Sequence, residues 1–109
     1  MNKYGNRKTM VDGILFDSKK EAERWRELQL LQKAHLIRDL QRQYPFELIP
    51  KQMKDGKVAE RAVKYVADFV YYDHDGNLVV EDAKGMRTDA YKLKKKMMLY
   101  FKGIQIREV

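Results

Sequence analysis

The chain has no cysteine, two prolines, two histidines and one tryptophan among its 109 residues. Without cysteine there is neither a disulfide framework nor a thiolate metal site. The two histidines, His35 and His74, show no ligand spacing, which disfavours zinc and histidine–metal chemistry. No apolar run approaches the length of a membrane span, and no secretory-signal pattern precedes Tyr4. A cytoplasmic protein with no membrane partner is therefore expected. A Walker loop, a dinucleotide fingerprint and a nucleophile elbow are also missing.

What is present suits one folded domain. Hydrophobic residues make up 44% of the chain and charged residues 36%, with a formal net charge of +7. Residues 1–8 read as a flexible basic arm carrying Lys3, Arg7 and Lys8, and residues 9–109 as a single domain. From Lys84 to Lys102 the basic residues Lys84, Arg87, Lys92, Lys94, Lys95, Lys96 and Lys102 are opposed only by Asp89. Such a concentration fits a polyanionic partner, and equally a solvated helix face. Lysine is a flexible point charge, so Lys92, Lys94, Lys95 and Lys96 suit phosphate contact better than base reading, with Lys94 the one leaning inward.

Periodicity supplies an element order. Thr9–Val11 and Ile14–Phe16 flank an Asp12-Gly13 turn. Ser18 with Glu21 forms a capping-box pattern opening a helix whose apolar stripe is Ala22, Trp25, Leu28 and Leu31. Glu23, Arg24, Glu27 and Lys33 fall on its wet side. A strand is expected to begin at Leu36–Leu40, and Tyr44–Ile49 is a strand marked as edge or bulge by Pro45. Pro50 and Lys51–Lys57 read as a turn. Thr88 or Asp89 caps a second helix, with Ala90, Leu93, Met97 and Tyr100/Phe101 as its core stripe, and Gly103 ends it. Ile104–Val109 alternates as a last strand.

The stretch from Tyr65 to Gly85 carries the chemistry. Two β-branched and aromatic runs flank His74, Asp75 and Gly76, which fits a type I turn closed by a left-handed glycine. Pairing about that turn sets Tyr72 opposite Leu78, Val70 opposite Val80 and Asp68 opposite Asp82. Asp68, Asp82 and Lys84 then share a face with Val66, Val70 and Val80. Two carboxylates opposed on an apolar face are destabilising, and a divalent cation, a hard ion that takes carboxylate oxygens, is the economical compensation. Glu81 must point to the other face and is left out of that cluster.

An acidic residue followed on the next strand by Asp-x-Lys resembles the active site of the PD-(D/E)XK nucleases. Asp68 takes the first position, and Asp82 and Lys84 the others; Ala67 stands where a proline often precedes. The helix–three strands–helix–strand order is similar to the restriction-endonuclease-like fold. Phe16–Ala22, Gln43–Phe46, Tyr65–Phe69, Val80–Gly85, Thr88 and Tyr91–Lys94 together resemble a family of small phage and prophage proteins of this superfamily, catalogued as a domain of unknown function.

The resemblance implies an α/β (α+β) fold with an αβββαβ core, a mixed sheet flanked by two helices. It also implies a DNA endonuclease using Mg²⁺ or Mn²⁺, with Asp68, Asp82, Lys84 and Glu21 as catalytic residues. Asp68, Asp82 and Glu21 would be the metal ligands. Glu21 has a competing role as the capping-box partner of Ser18. Lys19, Lys20, Arg87, Lys92, Lys94, Lys95 and Lys96 would contact DNA, and Gln43 is a structural hydrogen-bonder or a substrate contact. The expected partners are DNA, most of all branched DNA of the Holliday-junction type, and a second copy in a homodimer. A non-catalytic DNA-binding module and a partner-dependent nuclease subunit are the alternatives on the same fold.

Overall fold

The computed structural model describes residues 8–83 and 87–109. A short hairpin, β1 (Thr9–Val11) and β2 (Ile14–Phe16), precedes helix α1 (Lys19–Lys33). Strand β3 (Arg38–Ile49) leads into a second hairpin, β4 (Gln52–Lys54) and β5 (Lys57–Glu60). Then come β6 (Val63–Tyr72), β7 (Leu78–Asp82), helix α2 (Asp89–Lys102) and β8 (Arg107–Glu108). The main sheet has the order β3-β6-β7-β8, antiparallel except for the parallel β7–β8 pair. Setting the two small hairpins aside, the elements run αβββαβ around a mixed sheet. No helix among the described residues is long and apolar enough to cross a membrane.

Several local expectations hold for the expected reasons. Ser18 caps α1 and Thr88 caps α2, each hydroxyl accepting a backbone N–H three residues on. The β6–β7 turn closes with Gly76 N–H donating to the Asp73 carbonyl and Gly76 at φ 82, a conformation glycine adopts without penalty. Pro45 does lie on an edge strand, paired through β3 with Val66. It does not interrupt β3, because an edge position tolerates the missing N–H.

Other expectations are corrected. Residues 51–57 form most of a hairpin rather than a plain turn, and the final strand is only Arg107–Glu108. On α2 the buried residues are Tyr91 and Met98, with Met97 packed beside them. Ala90 is exposed, and so are Leu93, Tyr100 and Phe101, by 55%, 83% and 51%. The face turned to the sheet lies one residue along from the expected stripe, and its Tyr91 hydroxyl donates to Glu108 at 2.8 Å.

Two clusters make the core. Phe16, Ala22, Leu28, Phe69, Tyr71 and Val79 pack with α1, whereas Leu48, Tyr65, Ala67, Val70, Val80, Tyr91 and Met98 pack with α2. In an evenly alternating strand, Tyr65, Ala67, Phe69 and Tyr71 would share a face. They do not, and on β3 Leu40 sides with α1 while Phe46 and Leu48 side with α2. Both strands therefore change face between these positions while their pairing stays in phase, Arg42 with Phe69 and Tyr44 with Ala67. The change falls at Gln43, whose φ of 52 lies in the left-handed region, and at the facing Asp68. A non-glycine residue held there costs about 1–3 kcal/mol, and only surrounding packing keeps it in place.

Glu81, fully buried, locks α1 to the sheet. Arg24 grips it through Nε to Oε1 and Nη2 to Oε2, both 2.7 Å, the Tyr71 hydroxyl donates to Oε2, and Arg107 Nη1 stands at 4.0 Å. Arg24, expected on the wet side, instead turns inward, its guanidinium held charged by this bond. Burial, with the Glu81 bond behind it, pushes the Tyr71 phenol up to about 12.

This lock can be tested at both of its partners. Arg24→Ala strands a buried carboxylate and should lower stability by about 3–5 kcal/mol in denaturant titration. Below the ordinary tyrosine value of 10.0, the Tyr71 contribution should be present in full. Between pH 10 and about 12 only the unfolded chain ionises, so stability should fall as pH rises. Tyr71→Phe should flatten that alkaline decline in melts taken across the range.

Candidate functional site

Glu21 sits in the first turn of α1, and its backbone and side chain have separate duties. Its N–H is capped by Ser18 Oγ at 3.1 Å. Its carboxylate is buried, and Oε1 accepts from Gln43 Nε2 at 3.1 Å. The same Gln43 nitrogen reaches Asp68 Oδ1 at 3.4 Å. Asp68, also buried, accepts the Ala83 N–H on Oδ2 at 2.8 Å, at the end of β7. The left-handed turn of the chain at Gln43 and the face change at Asp68 are what let an amide on β3 touch carboxylates from α1 and β6.

Asp82 faces another partner. It is fully buried, and Oδ2 accepts from the Tyr65 hydroxyl at 2.9 Å. Burial, followed by the charge of Asp82, pushes the Tyr65 phenol well above its ordinary value. The hairpin register is the expected one, Tyr72 opposite Leu78 and Val70 opposite Val80, and it runs as far as Phe69 opposite Glu81. Val66 is 43% exposed, so the even face is not uniformly apolar. Asp68 bonds to Gln43 and Ala83 and Asp82 to Tyr65, and the charges of both aspartates act on the Tyr65 phenol. Glu81 does point away from Asp82, as its Arg24 and Tyr71 partners show. Lys84 lies outside the described residues.

Among the described residues no three histidine, aspartate or glutamate side chains form a group that would hold a metal. Glu21 and Asp68 alone still suit one kind of ion. Their oxygens converge on a single amide nitrogen, and Mg²⁺ is commonly held by one or two carboxylates together with phosphate oxygens and water.

The expected DNA contacts divide. Arg87, Lys92, Lys95 and Lys96 line one groove of about 430 Å³ with Tyr91, Leu99 and Gln105. Within it Glu108 takes the Tyr91 hydroxyl, Arg87 Nε at 2.7 Å and Lys95 Nζ at 3.1 Å. These bonds hold the Glu108 carboxyl below its ordinary value, the Tyr91 bond foremost. Lys92 and Lys96 are exposed, and Lys94 is half-buried. Lys19 and Lys20 are exposed on α1, where Lys19 stands 3.9 Å from Glu23. Of the arm, residues 1–7 lie outside the described residues.

Sequence reasoning left Gln43 undecided and gave Tyr65 no role. Uniform alternation would put Tyr65 on the face away from both aspartates, so no sequence signal marked it as the partner of Asp82.

A mixed four-stranded sheet with a helix packed on either side and buried carboxylates along its central strands makes this an α/β protein. The chain belongs to the family described as protein of unknown function (DUF1064), which matches it over residues 1–108. No curated protein and no solved structure matches the chain.

The shared amide suggests a direct measurement. Gln43→Ala should lower the melting temperature in a chelator, because two bonds to carboxylates are removed, each worth about 1.5–3 kcal/mol. Adding Mg²⁺ or Mn²⁺ should restore more stability to this variant than to the wild-type chain.

Proposed function

We propose that the protein is a metal-dependent endodeoxyribonuclease that hydrolyses phosphodiester bonds. The observation that carries this reading is the convergence of Glu21 and Asp68 on Gln43, with Asp68 tied to the β7 end that leads to Lys84. A bound Mg²⁺ or Mn²⁺ would polarise the scissile phosphate and lower the pKa of a water. Glu21 and Asp68 would hold the ion, with Asp82 beside them. The Ala83 N–H keeps Asp68 aimed, and burial keeps bulk water from competing for both carboxylates. Lys84, next in the chain after Ala83, would orient the attacking water or offset charge at the phosphate. Exposed Lys92 and Lys96 would meet the DNA backbone.

The preferred substrate in this reading is branched DNA of the four-way type, cut by a homodimer in the host-cell cytoplasm of a phage. Two symmetric nicks need two sites related by a two-fold axis. The outer face of α2 supports self-association, since Ala90, Leu93 and Tyr100 fall at the three- and seven-residue spacing of a helix-packing seam and all three are exposed.

Asp68→Asn, Asp82→Asn and Lys84→Ala should each abolish Mg²⁺-dependent cleavage of a labelled four-way junction while retaining binding. Paired symmetric nicks should appear with the wild-type chain. Wild-type cleavage by Asp68→Asn would overturn the site. Leu93→Glu with Tyr100→Glu should convert the dimer to a monomer in light scattering.

A further inference from the structure

The β4–β5 ribbon takes no part in the core or in the candidate site. Every residue from 51 to 61 is exposed, including Met53 at 54% and Val58 at 52%. An isolated two-stranded ribbon is marginal in water, because it buries almost nothing. This one is nonetheless built for rigidity. Asp55 and Gly56 at its tip both have positive φ, 54 and 75, the backbone of the tight two-residue turn whose twist matches its strands.

Its charges are arranged against its own stability. Lys54 and Lys57 are directly paired across the tip, and like charges so placed repel. Lys51 and Arg61 stand at the base, so the ribbon carries four cations against Asp55 and Glu60. Among the described residues none of the four cations has an ion-pair partner. The base of the ribbon continues β3 and β6, the strands that hold Gln43 and Asp68.

We infer that this ribbon is a duplex-gripping arm, which seats in the DNA groove beside the cut and places Lys51, Lys54, Lys57 and Arg61 on phosphates. The inference rests on the nuclease reading and adds to it where the flanking DNA is held. The major groove, about 12 Å wide, admits a two-stranded ribbon. From Gln43 to Gln52 the extended chain spans at most about 30 Å. The arm therefore reaches DNA within about nine base pairs of the scissile phosphate. Polyanion contact also relieves the Lys54–Lys57 repulsion.

The test is binding of a labelled duplex, in chelator so that nothing is cut, across a salt series. The chains compared are the wild type and a variant carrying K51Q, K54Q, K57Q and R61Q. Because these side chains are exposed, the melting temperature should not fall. Affinity should drop by at least about tenfold at low salt, and the salt slope should flatten by about 0.9 for each phosphate no longer neutralised. On duplex arms too short to reach the ribbon, the two proteins should bind alike. Equal affinity and slope on long duplex would overturn the arm while leaving the nuclease reading standing. A wild-type chain that binds no DNA would instead overturn the nuclease reading, and the arm with it. Binding of anionic lipid vesicles in place of DNA would assign the ribbon to a membrane surface and overturn the proposal.

Discussion

Four carboxylates are taken out of water in this fold, and each has to meet donors where it is buried. An unmatched buried charge costs several kcal/mol, so the bonds that satisfy Glu21, Asp68, Glu81 and Asp82 dictate how the elements assemble. Glu81 joins β7 to α1 through Arg24 and to β6 through Tyr71. Asp82 joins β7 to β6 through Tyr65. Glu21 and Asp68 join α1, β3 and β6 through one glutamine amide, and Asp68 reaches on to β7 through the Ala83 N–H. Removing any one of these partners would unsettle more than one element.

The bonds to these four carboxylates serve different ends. A bidentate guanidinium holding Glu81 is a strong, geometrically specific pair suited to structure. A shared amide between Glu21 and Asp68 is a weaker bridge, and in the proposed nuclease it is the one a cation would replace. This contrast, more than the number of carboxylates, marks one cluster as a lock and the other as a candidate site. The position of the second cluster follows from the backbone. Where β3 and β6 change face together, the sheet offers one end of each strand to α1 and the other to α2, and Gln43 and Asp68 stand at the crossing.

Much of the local structure could be read from the chain alone. The Ser18 and Thr88 caps, the Asp12-Gly13 and His74–Gly76 turns, the α1 stripe and the β6–β7 register depend on neighbours close in sequence, where side-chain chemistry and periodicity decide. The order of helices and strands was legible for the same reason, while the mixed sheet was what the family resemblance implied.

Tertiary structure decided the rest. The apolar stripe read on α2 was the more periodic face, and only packing against the sheet turned Tyr91 and Met98 inward in place of Leu93 and Tyr100. Arg24 looked solvated because its partner Glu81 is 57 residues away in sequence. The face change at Gln43 and Asp68 broke the even alternation expected along β6, since a left-handed φ at a glutamine leaves no mark in composition or period. The sequence by itself determined which residues could form each element and which could carry charge chemistry. Which face they turned inward depended on distant partners, because a buried carboxylate takes its orientation from donors that only the folded chain brings near.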